Sequence, residues 1–443
     1  MKTVIMAGGR GSRISPVASD VPKPMIKIEG KPVLEHELEC LRDQGFTDII
    51  LTVSHLGNVI MDYFGDGRRV SPVTGKPFGV HIEYYFESDP LGNAGALFKI
   101  RNKFDSDFLL LNADAMFDVD FNRFVAYHKA QGGLVTLFTH PNSHPYDSGL
   151  IISDHNGVIK KWLAKEDERP QYYHNCVNAG LHVINPAVLD QADVEVDKIG
   201  TLDEKGNFIK VDLDRQLLKP LAGTGKMFCY NSPEYVKDMG TPDRYFAVCE
   251  DYRAGQVSGR NLKNKQKAIF LDRDGTINKY VGFLRETEEF VLIDGVAEAV
   301  KAINASGYLA IVVTNQPVIA RGEVSFEKLE EIHKKMETLL GEKGAYLDAV
   351  YFCPHHPDKG YKGERPELKT DCECRKPKPG MLLKAADDFN IDLSQSWMVG
   401  DGEKDIKAGN EAGCRTALIG TGSFGQTVTI SSLQNFVKQY LTY

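Results

Sequence analysis

Two aspartates, Asp272 and Asp274, stand one residue apart after the apolar run Ala268–Leu271, and Gly275 and Thr276 follow them. Two carboxylates at the end of a buried strand are costly unless a cation or a donor-rich ligand meets them. A phosphate and a metal ion would do so. A second constellation lies near the amino terminus, where the apolar run Thr3–Ala7 leads into Gly8-Gly9-Arg10-Gly11-Ser12-Arg13. Glycines there let backbone N–H groups wrap an anion, and the arginines suit a polyphosphate. The third is a set of metal-ligand types: Cys353-Pro354-His355-His356 and Cys372-Glu373-Cys374, a C-x-H pair and a C-x-C pair. Three thiolates and one imidazole, from His355 or His356, make a closed tetrahedral zinc site. Such a site would staple the intervening stretch 356 to 371, which is rich in Lys, Gly, Glu and Pro and has little core of its own.

The elements that must position these groups are legible from periodicity. Thr3–Ala7 and Asp48–Val53 read as buried parallel-type strands, with a helix over Val33–Gln44 between them. A glycine loop at the carboxyl end of the first strand is a doubly wound α/β beginning. Pro22-Lys23-Pro24-Met25 is expected to be extended and to project Lys23. From Tyr245 the pattern decays into a polar, glycine-containing, basic stretch that reads as an exposed linker. Ala268–Leu271 then opens a second α/β series. Leu309–Val313 ends in Thr314-Asn315-Gln316, and Trp397–Gly400 leads to Asp401 with Asp405 four residues later. The expected division is 1–250, a linker over 251–266, and 267–443, giving two doubly wound domains. A chain of 443 residues has room for both.

Composition narrows the classes. A net charge of -8 argues against generic nucleic-acid or anionic-membrane binding. No apolar run approaches the roughly 20 residues of a membrane span. The start MKTVIMAGG has no signal-peptide anatomy, and eight cysteines in this length are no disulfide framework, so the expected compartment is the reducing cytoplasm. The expected partners are small molecules, with self-association into a homo-oligomer left open.

The string MAGGRGSRISPVASDVPKPM resembles the signature of sugar-1-phosphate nucleotidyltransferases. Pro90-Leu91-Gly92-Asn93-Ala94-Gly95, Leu110-Leu111-Asn112-Ala113-Asp114, Val177-Asn178-Ala179-Gly180 and Lys237-Asp238-Met239-Gly240-Thr241-Pro242 follow in the family's order over about the first 245 residues. The resemblance implies a Rossmann-like, glycosyltransferase-A-like domain. In it Gly8, Gly9, Gly11 and Arg13 hold the triphosphate, Arg13 on the leaving pyrophosphate and Lys23 by the α-phosphate. It implies that Gly92 and its neighbours border the base, and that Asp114 and Asp238 share a Mg²⁺. Asn178 and Gly149 would touch the sugar and Lys165 its phosphate. Taken by itself, Asp114 at a strand end could also cap a helix, and Asn178 could satisfy backbone. In Trp162-Leu163-Ala164-Lys165 the family usually shows glutamate where Ala164 stands, which bears on the sugar preference.

The D-x-D-G-T stretch, Thr314-Asn315-Gln316, Lys376 and Asp401 resemble the ordered motifs of haloacid-dehalogenase-type (HAD) phosphohydrolases. The resemblance implies a nucleophile in Asp272, a general acid in Asp274, and phosphoryl stabilisation by Thr314 and Lys376. It also implies a Mg²⁺ held by Asp272, the Asp274 carbonyl and Asp401. Asp405 would orient Lys376 or a metal-bound water, though it could instead serve a helix N-terminus. The Cys-Pro-His-His-Pro stretch from Cys353, the Cys372 to Pro377 stretch and Thr314–Gly322 resemble the histidinol-phosphatase-like branch that contains heptose 1,7-bisphosphate 7-phosphatases. That branch implies zinc on Cys353, His355, Cys372 and Cys374, with Asn315, Arg321 and Arg375 on substrate. Pro317-Val318 stand where that branch usually has Ser-Gly. The two resemblances together imply that heptose 1,7-bisphosphate is cut to heptose 1-phosphate, which then receives a nucleotide, GTP being the expected donor. The alternative pairs transfer to another hexose 1-phosphate with a histidinol-phosphate-type phosphatase.

Overall fold

The computed structural model describes residues 1–8 and 21–441, which fall into two compact units. The first comprises 1–139, 151–162 and 178–261; the second comprises 140–150, 163–177 and 262–443.

In the first unit the strand Thr3–Met6 is flanked in parallel by Asp48–Val53 and Phe108–Asn112, with Thr3 opposite both Ile49 and Leu109. Strands buried on both faces read as continuous apolar runs, as TVIM and DIILTV do. His81–Phe86 extends the sheet in parallel beyond Asp48–Val53, and Val177–Ile184 joins antiparallel to Phe108–Asn112. Ala7, Ser54, Glu87 and Asn112 therefore end up at one edge. A separate two-stranded ribbon pairs Ala115–Asp118 with Tyr235–Asp238, placing Asp238 opposite Ala115 and so beside Asp114.

Three local expectations are corrected. Lys23–Met25 is a 3-10 turn entered from extended Pro22, because Pro24 has the backbone angle such a turn needs. The first helix ends at Arg42 rather than Gln44, since Gly45 at φ +85 cannot continue it. The stretch read as an exposed linker contains the helix Gln256–Gly259, and its Val257 sits in an apolar cluster with Val248 and Met239. Arg260, Asn261, Leu262 and Gln266 are buried too.

The second unit has a six-stranded, wholly parallel sheet. Its order is Ala349–Cys353, Leu309–Asn315, Ala268–Leu271, Trp397–Gly400, Arg415–Ile419, Val428–Ile430. Apolar clusters built on Ile269 and Leu271 on one face, and on Ala268 and Phe270 on the other, sandwich the opening strand. A central strand of this kind delivers its next residues to the carboxyl edge, where α/β sheets bind ligands.

This unit also contains an ionic clamp. His174 donates from Nδ1 to Glu337 at 2.7 Å and from Nε2 to Glu330 at 2.8 Å, both carboxylates lying on the helix Phe326–Gly341. Tyr173 N–H donates to Thr338 Oγ1 and Asn175 N–H to Glu337 on the same helix. Two donating ring nitrogens mean an imidazolium. Burial alone would push His174 down, but Glu337 and Glu330 outweigh it and the group is pushed up to about 10. The folded value lies above the roughly 6.5 of an unfolded histidine, so the stabilisation is complete below that pH and is lost as pH rises through about 10. His174→Ala is expected to lower the melting temperature at pH 6 by roughly 4–8 °C, for about 2 kcal/mol of charged hydrogen bonding. At pH 10 the gap between variant and parent should shrink, as differential scanning calorimetry would register. An equal gap at both pH values would show that the clamp is not ionic.

Candidate active sites

At the carboxyl edge of the second unit, Lys376 is the hub. Its Nζ donates to Asp272 Oδ1 at 2.7 Å and to Asp405 Oδ1 at 2.5 Å, and its side chain is 3% exposed. Asp405 simultaneously accepts the Gly402 N–H at the start of the helix Glu403–Glu411, so it caps that helix and orients the lysine together. Burial would lower the lysine, but the two carboxylates outweigh it and hold it above its usual value. Burial pushes Asp272 up to about 7 against the opposing pull of Lys376, and with the charge of Asp272 nearby it pushes Asp401 up to about 6. Ligand oxygens of Asp272, Asp401 and Asp405 lie within 4.8 Å of one another. Counting Asp274, four carboxylates gather here around two cations among the described residues, Lys376 and Arg273, so the site keeps an excess of carboxylates that a divalent cation would offset. These residues fit a magnesium ion. Gly275, at φ +87, is required here because any Cβ would collide with the Asp401 carboxylate.

Asp274 is held by donors that the sequence did not single out. Arg273 is 0% exposed and gives Nη2 to Asp274 Oδ2 at 2.8 Å and Nε to Oδ1 at 3.2 Å. Asn278 Nδ2 and Gln316 Nε2 add contacts at 3.1 and 3.0 Å. Gln316 also donates to Thr314 Oγ1 at 2.9 Å, which leaves the Thr314 hydroxyl proton free to point elsewhere. The Asn315 side-chain amide accepts from Lys376 N–H at 3.0 Å and donates to the Lys376 carbonyl at 2.9 Å, so it locks the lysine's backbone. The signal for Arg273 was its position between two aspartates, but a charged residue in a turn normally reads as exposed.

Cys353, His355, Cys372 and Cys374 converge, their ligand atoms all within 4.8 Å. The sulfurs lie 3.2–3.5 Å apart and His355 Nδ1 is 3.4 Å from Cys374 Sγ. All four side chains fit a single metal ion. His356 turns away, its Nδ1 accepting the Asp358 N–H, and lies outside the Cys353, His355, Cys372 and Cys374 cluster. Arg375, the residue before Lys376, donates to the His355 carbonyl at 3.0 Å. Arg321 is stacked between the rings of Phe283 and Tyr361, 4.1 and 4.5 Å from their centroids, and its buried Nε has no hydrogen-bond partner.

The first unit carries an open cavity of about 1050 Å³, lined by Gly8, Lys23, Ser54, Glu87, Gly92, Asn112, Asp114 and Lys210 among others. Lys23 Nζ meets Asp114 Oδ2 at 3.0 Å. Asp238 pairs with Arg244 and accepts the Gly240 N–H at 2.8 Å. Strand pairing thus sets the backbone of Asp238 opposite Ala115, next to Asp114, and each of the two half-exposed carboxylates has a basic partner. Gly92, at φ +83, lies against the Val211 backbone with no room for a Cβ, and Asn93 accepts the Leu213 N–H at 2.7 Å. Gly9, Gly11 and Arg13 lie outside the described residues. Gly149 and Lys165 fall in segments of the second unit, with Lys165 paired to Asp147, whereas Asn178 belongs to the first.

Sequence reasoning passed over Glu87. It follows the last residue of the strand His81–Phe86 and faces the cavity beside Gly8 and Ser54. Burial pushes its carboxyl up to about 7 against hydrogen bonds from Thr52 and the Leu91 N–H.

Comparison with known proteins agrees with both halves. The Nucleotidyl transferase family matches residues 2–255, and the HAD-hydrolase-like family matches 373–438. A D-glycero-beta-D-manno-heptose-1,7-bisphosphate 7-phosphatase from Pasteurella multocida is 47% identical over 158 residues, 35% of this chain and 83% of that protein. The corresponding D-glycero-alpha-D-manno-heptose enzyme of Burkholderia mallei is 46% identical over 155 residues, 35% of this chain and 80% of its own. Among solved structures, HddC from Yersinia pseudotuberculosis is 24% identical with a TM-score of 0.45, over 57% of this chain and 99% of its own. No helix among the described residues is long and apolar enough to cross a membrane. The chain belongs to the nucleotidyl transferase family through its amino-terminal part and to the HAD-type heptose-bisphosphate phosphatases through its carboxyl-terminal part, two enzymes in one polypeptide.

Proposed function

We propose that this chain converts D-glycero-D-manno-heptose 1,7-bisphosphate to a nucleotide-activated heptose in two steps, most economically GDP-heptose. The observation that carries the reading is the coexistence of the two sites. One half is built to remove a phosphate, and the other consumes a sugar that keeps its 1-phosphate. The functional division is 1–250 for transfer and 267–443 for hydrolysis, joined by 251–266.

In the hydrolytic half, Asp272 attacks the phosphorus of the 7-phosphate and the bond from phosphorus to the sugar oxygen breaks. Asp274 gives that oxygen its proton, then takes one from the water that cleaves the aspartyl phosphate, which regenerates both carboxyl groups. Lys376 and the Thr314 hydroxyl neutralise the transferring phosphoryl group. Asp272, the Asp274 carbonyl and Asp401 would hold Mg²⁺, which supplies the positive charge that lets an anion approach an anion. Arg375 and Arg321 would bind the phosphate that is retained. Cys353, His355, Cys372 and Cys374 would hold structural Zn²⁺, because a thiolate-rich tetrahedral set selects that ion.

In the transferase half, an oxygen of the heptose 1-phosphate attacks the α-phosphorus of the triphosphate and pyrophosphate leaves. Lys23 would neutralise the α-phosphate, and Gly8, Gly9, Gly11 and Arg13 would cradle the rest. Asp114 and Asp238 would hold the Mg²⁺ that clamps the triphosphate. Asn178 would contact the sugar phosphate. Glu87 supports guanine, whose N1–H and N2 amino group both donate and so match a carboxylate; adenine presents no such pair. Soluble phosphorylated substrates and a thiolate-rich metal site support a cytoplasmic location.

Given heptose 1,7-bisphosphate, GTP and Mg²⁺, the purified chain should release both phosphate and pyrophosphate. Asp272→Asn should abolish the phosphate and leave pyrophosphate release from supplied heptose 1-phosphate intact. Phosphate from histidinol phosphate and none from heptose bisphosphate would overturn the heptose reading. Glu87→Gln should lower kcat/KM for GTP about 10- to 100-fold while flattening the preference for GTP over ITP, since one acceptor is lost. An unchanged ranking across GTP, ITP and ATP would remove Glu87 from base recognition.

A further inference from the structure

Asn178 and His182 lie on the same face of the strand Val177–Ile184, with Gly180 between them. The Asn178 carbonyl oxygen is engaged twice. It accepts the Gly180 N–H at 3.2 Å and lies 3.1 Å from His182 Nε2. The Gly180 donor identifies that atom as Oδ1, and an amide oxygen only accepts, so His182 must carry its proton on Nε2. His182 is 1% exposed and its Nδ1 is buried with no hydrogen-bond partner. Burial alone pushes the imidazole down to about 3, which agrees with a neutral ring that has one donor to give and gives it to Asn178. Gly180 completes the arrangement, because the space its Cβ would fill is taken by the Asn112 amide, and Asn112 lines the cavity.

We propose that His182 is a positioning residue for the sugar phosphate. It locks the Asn178 amide with its oxygen turned into the protein, so that the group left to meet substrate is the Nδ2 amino group. The site would then read an acceptor on the sugar, a hydroxyl or ring oxygen, and could not use Asn178 to accept from one. A freely rotating asparagine would accept or donate indifferently. The inference rests on the proposed contact of Asn178 with the sugar, and it adds a second residue with no substrate contact of its own.

The experiment uses the full chain with heptose 1-phosphate, GTP and Mg²⁺. Asn178→Ala should raise KM for heptose 1-phosphate and leave KM for GTP unchanged. His182→Leu, which keeps the bulk but removes the donor, should raise the same KM about 5- to 20-fold with kcat and the GTP KM little changed, as loss of one orienting hydrogen bond implies. His182→Gln, which can again donate, should restore most of the loss, and phosphate release by the same chain should be unaffected. If Asn178→Ala raises KM but His182→Leu does not, the positioning role is wrong. If Asn178→Ala itself changes nothing, the sugar contact is wrong and this inference falls with it. Should His182→Leu fold poorly, a His182→Gln variant with sugar KM no better than Asn178→Ala overturns the proposal.

Discussion

The second unit depends on one buried ionic arrangement, Lys376 between Asp272 and Asp405. A lysine with a 3% exposed side chain is tenable only because two carboxylates meet it, and two buried carboxylates so close together are tenable only because of the lysine. Each partner comes from a different part of the chain. Asp272 ends the central strand, Asp405 caps a helix, and Lys376 lies at the end of the cysteine-bearing stretch. The convergence of Cys353, His355, Cys372 and Cys374 gathers that stretch, the Arg375 guanidinium ties it to the His355 carbonyl, and Asn315 clamps the backbone of Lys376 from the neighbouring strand. Convergence of the cysteines and placement of the lysine are in this way one mechanical problem.

Both units use the same solution for gathering chemistry. Parallel strands with apolar faces end at a common edge, and the residues that reach the sites lie at or just beyond their ends. Gly8, Glu87 and Asn112 arrive this way in the first unit, and Asp272, Thr314 and Asp401 in the second. Glycines at the edge are there for space as well as for backbone angle. Gly275 leaves room for Asp401, and Gly180 for Asn112.

Much of this was legible in the sequence, for physical reasons that can be named. Ala268–Leu271 and Asp48–Val53 were read with their observed limits because buried parallel strands are near-continuous apolar runs. The metal-ligand types at Cys353, His355, Cys372 and Cys374 were visible from paired spacing, since each pair must reach a common point. What stayed hidden was long-range pairing. Nothing local says that the Asn315 amide would pair with the backbone of Lys376, sixty-one residues on. Arg273 looked like a solvated turn residue and is fully buried, because its charge is answered by Asp274 and its third nitrogen by His333. The stretch from 255 to 266 looked polar throughout, yet Val257 and Leu262 anchor it, and two apolar residues in twelve are too few to register as periodicity.

In the proposed mechanism the lysine-centred site makes Asp272 the phosphoryl acceptor. Rapid acid quench of the chain turning over heptose 1,7-bisphosphate, followed by mass spectrometry of the peptide containing Asp272, tests it most directly. The account predicts a phosphoryl adduct on Asp272, present during turnover and gone once substrate is exhausted. Phosphate release at full rate with no adduct on that peptide at any quench time, or with the adduct on another residue, would contradict it.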